Sequence, residues 1–338
     1  MRLVMVGFGV VGQSFAELIV NESKKLDHDY GLRPRIVGVV DRHGAVVAPE
    51  GIDAAELLES KRVSGTLKGE GDWEYHEGVS ALEIIRDTDC EVVIETTPTE
   101  LTKGEPGLSH VKAALGAGRH VICTNKGPLA IAMPALIELA HHNDVIFKFS
   151  GTVGGGTPVL DFAKKCLEGS RIKSISAILN GTSNYILSRM TSDAKAMSDA
   201  LAEAQKLGYA EADPTYDIGG FDTACKLVIT SNFILGTSLS IRDVKTIGIT
   251  DITPEDIKTA ALRGNVIKLI GRVGNGARVS PEQIPSTHPL NVSGTFNAIQ
   301  FETDSAGDIT LVGKGAGGKE TASAVLRDLI EIRRAFAR

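Results

Sequence analysis

Cysteines, aromatic residues and blocks of like charge are scarce in this chain, and each scarcity excludes something. The four cysteines (Cys90, Cys123, Cys166, Cys225) stand far apart and form no CxxC pair. That spacing excludes a clustered zinc site and fits the reduced thiols of a cytoplasmic protein. Aromatic residues make up 5% of the 338 positions, so Val, Ile, Leu and Ala must build the core. Lys and Arg are scattered and the formal net charge is −6, which argues against nucleic acid as a partner. No apolar run reaches the ~18–20 residues of a membrane span. The opening MRLVMVGFGV has no small-residue cleavage site, so a secretory signal is not expected. With 42% hydrophobic and 23% charged residues, the composition is that of a globular chain. Its length predicts two domains.

Glycine, by contrast, is plentiful, and its placement is informative. Residues 2–6 read as a buried strand. The run Gly7-Phe8-Gly9-Val10-Val11-Gly12 follows at once, and then the helical QSFAELIVNES. A strand, GxGxxG, helix sequence suits a dinucleotide. The first glycine permits the turn, the second lets backbone approach a pyrophosphate, the third lets the helix pack on the sheet, and the helix N-terminus offers N–H groups. Residues 35–41 read as a second strand ending in Asp41, the acidic position that bonds the ribose hydroxyls. Asp41 lies farther from Gly12 than the usual ~20 residues, and the extra length sits in HDYGLRP. Arg42 follows directly. It could face the 2′-phosphate of NADP or be a solvated loop charge, so Asp41 points to NAD and Arg42 to NADP.

Strands are expected at 91–97, ending in Thr96 and Thr97, at HVIC before Lys126, and at 144–150, with helices between. This β/α alternation predicts an α/β fold, a Rossmann-type doubly wound parallel sheet covered on both faces. The polar segment 51–90 yields no assignment. Three consecutive glycines then occur in Gly151–Pro158. They mark either a hinge or a place where backbone approaches a ligand or ion. The second half reads as a different, α+β, domain. Its helix, read over IGGFDTACKLVITSNFILG, carries Asp222 and Lys226 four residues apart, on one face, among mostly apolar neighbours. The pair could be an exposed ion pair. Buried, it would cost several kcal/mol beyond hydrocarbon, and function would be the better account. Lys126 follows a strand of the first domain, where ligands bind in open α/β sheets, although a loop charge would also fit.

Several segments, in order along nearly the whole chain, resemble homoserine dehydrogenase. They are Gly7–Gly12, Thr124-Asn125-Lys126, Asn180-Gly181-Thr182-Ser183-Asn184-Tyr185-Ile186, Gly208-Tyr209-x-Glu211-x-Asp213-Pro214, Asp217 with Asp222 and Lys226, and Gly315-Ala316-Gly317. The resemblance implies reversible reduction of L-aspartate 4-semialdehyde to L-homoserine with NADP or NAD, a step towards threonine, methionine and isoleucine. It implies Lys226 and Lys126 as the catalytic lysines, and Glu211, Asp222, Asp217, Gly181, Thr182 and Tyr209 as substrate positions. Expected coenzyme contacts are Gly7, Phe8, Gly9, Val10, Val11, Gly12, Asp41, Arg42, Lys61, Thr96, Thr97, Lys126, Gly317 and Gly318. Val153, Gly155 and Thr157 align with a loop that binds a monovalent cation through backbone carbonyls.

The chain departs from the pattern of some members at Gly127, Tyr216 and Ser150, where those have Lys, Asp and Glu. The domains implied are a nucleotide-binding domain at 1–150, a substrate-binding and dimerisation domain at 151–305, and a segment, 306–338, returning to the first. A homodimer is expected, with no membrane and no nucleic acid as partners. Feedback control through a C-terminal regulatory domain or a fused kinase is not expected in a chain of 338 residues. The rival chemistry is an acylating semialdehyde dehydrogenase, which needs a cysteine nucleophile beside a base. Cys123 and Cys225 are the cysteines near the site. A third reading, a protein that binds NAD(P) without turnover, leaves the carboxylate–lysine set unexplained.

Overall fold

The computed structural model describes residues 1–69 and 71–336. They form two compact units. One is Met1–Thr152 together with the chain from Gly317 onward, and the other is Val153–Ala316.

In the first unit, β1 (Arg2–Val6), β2 (Arg35–Val40), β3 (Gly44–Val47), β4 (Glu74–Glu77), β5 (Val92–Glu95), β6 (His120–Cys123) and β7 (Phe147–Lys148) make one sheet. Its order is β4-β3-β2-β1-β5-β6-β7. β1 is parallel to both β2 and β5, and β6 and β7 continue the parallel run. Leu3 to Val6 are buried, as an uninterrupted apolar strand covered on both faces should be. Val6 stands beside Val40 and Glu95. The carboxyl ends of these strands therefore collect Gly7, Asp41 and Thr96 where the strand order reverses, the ligand crevice of open α/β sheets. The helix Gly318–Ala335 closes the unit. Its Ala322, Val325, Leu329 and Ile332 are buried at helical spacing in the same core as Leu3, Met5 and Phe15.

The segment 51–90 holds two helices, Ala54–Ser64 and Ala81–Asp87, and the edge strand β4. Asp53 caps the first helix and Ser80 the second, each accepting backbone N–H bonds. β4 reads Glu-Tyr-His-Glu and none of it is buried. An exposed edge strand has no apolar alternation to betray it.

The second unit has a six-stranded sheet of β8 (Ile172–Ile178), β9 (Lys245–Thr246), β10 (Asn265–Gly274), β11 (Gly276–Pro285), β12 (Phe296–Thr303) and β13 (Asp308–Lys314). Its order is β13-β12-β8-β10-β11-β9. All pairs are antiparallel except β9 with β11. Helix Phe221–Leu235 is buried continuously from Asp222 to Ser231, as a helix apolar on nearly every side must be. β13 pairs with β12 along seven residue pairs. The return to the first unit thus comes at Gly317, later than the expected 306. Helix Met197–Lys206 starts after Ala196, with no side-chain cap.

Candidate functional site

The first unit holds the expected dinucleotide turn. Gly7 has φ +95°, a conformation that favours glycine, and a Cβ there would lie 2.8 Å from Thr96 C. A Cβ on Gly12 would lie 2.6 Å from Gly7 O, so this glycine permits the close helix packing. Gly9, at the N-terminus of helix Val10–Asn21, has no side-chain cap, and a Cβ added there would meet nothing within 4 Å. These features fit a pyrophosphate held by backbone N–H groups. Phe8 is buried in the core, which leaves only its backbone for a ligand. Val10 is exposed. Thr96 N donates to Val6 O at 2.8 Å, and Thr96 Oγ1 to Gly7 O at 2.7 Å. A Cβ on Gly318 would meet Val10 Cγ1 at 2.5 Å, so Gly318 packs closely against the start of the helix that follows the turn.

Asp41 is not a free carboxylate. Its Oδ1 accepts from His43 N and Gly44 N, and its Oδ2 pairs with Lys61 Nζ at 2.6 Å. Both side chains are largely buried. Arg42 is exposed and donates through Nε to His43 Nε2 at 2.9 Å. Sequence spacing gave no sign of the Asp41–Lys61 pair, because the two lie on different elements. Lys126 is the first residue of helix Lys126–His142, behind the cap Asn125. Its backbone N donates to Thr99 Oγ1 at 3.2 Å.

The second unit assembles a polar cluster around helix Phe221–Leu235. Lys226 Nζ donates to Asp222 Oδ2 at 2.7 Å and to Leu179 O at 2.8 Å. Asp222 is 9% exposed and Lys226 7%, which rules out the exposed ion pair. Among the described residues two of the three ammonium donors are used, leaving one for an external oxygen. Asn180 Nδ2 donates to Asp222 Oδ2 at 2.9 Å and to Asp217 Oδ1 at 2.6 Å. Its Oδ1 accepts from Ser183 N at 2.8 Å, capping helix Gly181–Asp193. One side chain thus fixes the helix start and joins two carboxylates. Asn180 lies in the Asn180–Ile186 segment that carries the resemblance, but nothing in the sequence assigns it a role in the site. Burial pushes the Asp217 carboxyl above its ordinary value, against the pull of its bond from Asn180.

Thr182 Oγ1 donates to Tyr209 O at 2.6 Å, and the Tyr209 ring lies 5.0 Å from that of Tyr185. A Cβ on Gly181 would meet Thr295 O at 2.8 Å. Glu211 is exposed on the same segment as Tyr209. Its carboxylate has no hydrogen bond or ion pair among the described residues, and its backbone O accepts from Gln205. Lys268, also unforeseen, is buried and donates to Asn184 Oδ1, Ser188 Oγ and Val292 O. Burial lowers its pKa to about 8.

Among the described residues no group of His, Cys, Asp and Glu could hold a metal, and no helix is long and apolar enough to cross a membrane. Cys123 and Cys225 are fully buried. Burial pushes the Cys123 thiol well up, and its Sγ donates to Asn125 O at 3.2 Å. Neither is the exposed, activated thiol that acyl transfer needs.

A dinucleotide turn in one unit and a buried acid–lysine set in the other define a coenzyme-dependent dehydrogenase, in which the protein's share is placement and one proton. The family model for homoserine dehydrogenase matches residues 158–330. A homoserine dehydrogenase of Methanocaldococcus jannaschii is 42% identical over 333 residues, covering 98% of each chain. An NAD(+)-dependent homoserine dehydrogenase of Pseudomonas canavaninivorans is 38% identical, covering 100% of this chain and 97% of its own. The structure of a hyperthermophilic archaeal homoserine dehydrogenase in complex with NADPH superposes with a TM-score of 0.87 at 30% identity, covering 99% of this chain and 98% of its own. The chain belongs to the homoserine dehydrogenase family of NAD(P)-dependent oxidoreductases. The reaction is the reversible reduction of L-aspartate 4-semialdehyde to L-homoserine, and acyl transfer through cysteine is not favoured.

Proposed function

We propose that Lys226 handles the proton of this reaction. The observation that carries the reading is the hydrogen-bonded set of buried Asn180, Asp222 and Lys226 with half-buried Asp217. A nicotinamide coenzyme, when bound, supplies or accepts the hydride. In reduction, the Lys226 ammonium protonates the oxygen that becomes the hydroxyl. In oxidation, the neutral amine takes that proton back. Asp222, Asp217 and Glu211 hold the substrate's ammonium by charge, and Gly181, Thr182 and Tyr209 shape its surroundings. Lys126 assists from the coenzyme-binding unit, where its charge stabilises developing negative charge on oxygen. K126A is expected to lower kcat by about tenfold or more and to raise the coenzyme KM. Wild-type values of both would remove Lys126 from the site.

We infer that both coenzymes are accepted and that NADP binds better. A bare carboxylate at Asp41 would repel a 2′-phosphate, but Lys61 at 2.6 Å compensates its charge, and Arg42 stands exposed beside it. Relatives are described both as NAD(+)-dependent and as an NADPH complex. R42A should weaken NADP binding and leave NAD binding unchanged in a fluorescence titration. Equal losses for both would contradict the assignment to the 2′-phosphate. The backbone contacts proposed are Gly7, Phe8, Gly9, Val10, Val11, Gly12, Thr96, Thr97, Gly317 and Gly318.

The carbonyls of Val153, Gly155 and Thr157 are proposed to hold a monovalent cation. Positive φ at Gly154 (+83°) and Gly155 (+53°) bends this loop sharply, which lets carbonyls converge. Ser150 donates to Asp328 Oδ1 at 2.6 Å and so is committed elsewhere, but a backbone site tolerates that change. Replacing sodium and potassium by a bulky organic cation should depress activity, and unchanged turnover would dismiss the site. A cytoplasmic homodimer completes the reading. Four free cysteines fit a reducing compartment. Half-exposed Phe296 and Val312 share one face of β12 and β13 at the sheet edge, and a single-chain mass in light scattering would reject the dimer.

A further inference from the structure

We propose that His110 and Glu95 are positioning residues that set the geometry of the coenzyme loop and of Lys126, through a directional chain of buried hydrogen bonds. The inference rests on the role given to Lys126 above. Glu95 ends β5 and is 0% exposed, and His110, on helix Gly107–Gly116, is 6% exposed. The ion pairs among the described residues give this carboxylate no Lys or Arg, and its partner there is His110, whose Nδ1 lies 2.8 Å from Oε2. Oε1 accepts from Thr97 N at 2.7 Å and from the Thr97 hydroxyl.

Each bond dictates the sense of the next. The Thr97 hydroxyl spends its one proton on Glu95, so its oxygen must accept, and it does so from Asn125 Nδ2 at 3.1 Å. The other Nδ2 proton goes to Pro98 O at 3.2 Å. The amide of Asn125 is thereby oriented with Oδ1 towards the helix that starts at Lys126, where it accepts from Gly127 N at 2.9 Å. The same carboxylate holds Thr97 beside the dinucleotide turn, since a Cβ on Gly7 would lie 2.9 Å from Thr97 N. Two coenzyme elements distant in sequence therefore share one buried anchor. A core-filling role would not need a carboxylate, an imidazole and a fixed amide sense, because burying polar groups is costly unless each is paired.

The test compares two polar replacements of His110. In H110N the side-chain amide nitrogen takes the place of Nδ1 and can still donate to Glu95. In H110Q it reaches past that place. H110Q is expected to lower kcat and raise the coenzyme KM, each by about tenfold, the scale on which small misplacements act, with the homoserine KM unchanged. H110N should restore both to within about twofold of wild type. Loss of thermal stability with unaltered kinetics in H110Q, or the same kinetics in H110N and H110Q, would overturn the proposal. K126A measured alongside separates the two claims. Normal turnover in K126A removes Lys126 from the chemistry, whereas impaired K126A with indistinguishable H110N and H110Q overturns the positioning role alone.

Discussion

K226A should lose at least the ~10²-fold in kcat typical of removing a positioned acid or base. Its coenzyme affinity should stay near wild type, because Lys226 lies in the unit that does not carry the dinucleotide turn. Truncation also takes from Leu179 O and Asp222 Oδ2 their shared donor, so the proposed substrate site is disturbed and the homoserine KM should rise. Oxidation of homoserine releases a proton and should be faster towards alkaline pH. Aldehyde reduction consumes one and should favour lower pH. In K226A both directions should fall together, since the same group serves each. Turnover near wild type in both directions would show that Lys126 or a water moves the proton.

D222A should destabilise the second unit by about 3–5 kcal/mol, the cost of stripping one partner from a buried ion pair. Lys226 would keep Leu179 O but lose its carboxylate, in a helix whose neighbours Cys225, Leu227 and Val228 are fully buried. Replacing both charges by hydrocarbon, as in the double variant D222L with K226M, should recover most of that loss, because such exchanges are often neutral or favourable. The double variant should nevertheless be inactive. Unfolding in urea measures the stabilities. A double variant less stable than D222A would mean that the pair is held for stability and not for chemistry.

What the sequence disclosed was local pattern with a fixed spacing. The GxGxxG turn, the parallel strands and the Asp222–Lys226 helix face were legible because each lies within one element, although the strand expected at 91–97 ends at Glu95 and the one expected at 144–150 is only Phe147–Lys148. The role of Asn180 was not, since a turn residue and a residue bridging Asp217 and Asp222 look alike until the chain folds. Asp41 was read as free for ribose, and only the fold brings Lys61 to it. β13 was hidden for another reason. Its LVGK runs into Gly315-Ala316-Gly317, so the segment reads as a glycine turn, although seven residue pairs join it to β12. Glu95 and His110 left no signal, since an acidic residue ending a strand and a histidine in a helix have no periodicity to break.

The most direct test of the central claim is turnover of homoserine itself. Purified protein mixed with L-homoserine and NADP, or NAD, at alkaline pH should generate the absorbance of reduced nicotinamide with either coenzyme, and L-aspartate 4-semialdehyde with reduced coenzyme should consume it. Binding of both coenzymes with no absorbance change in either direction would contradict the account.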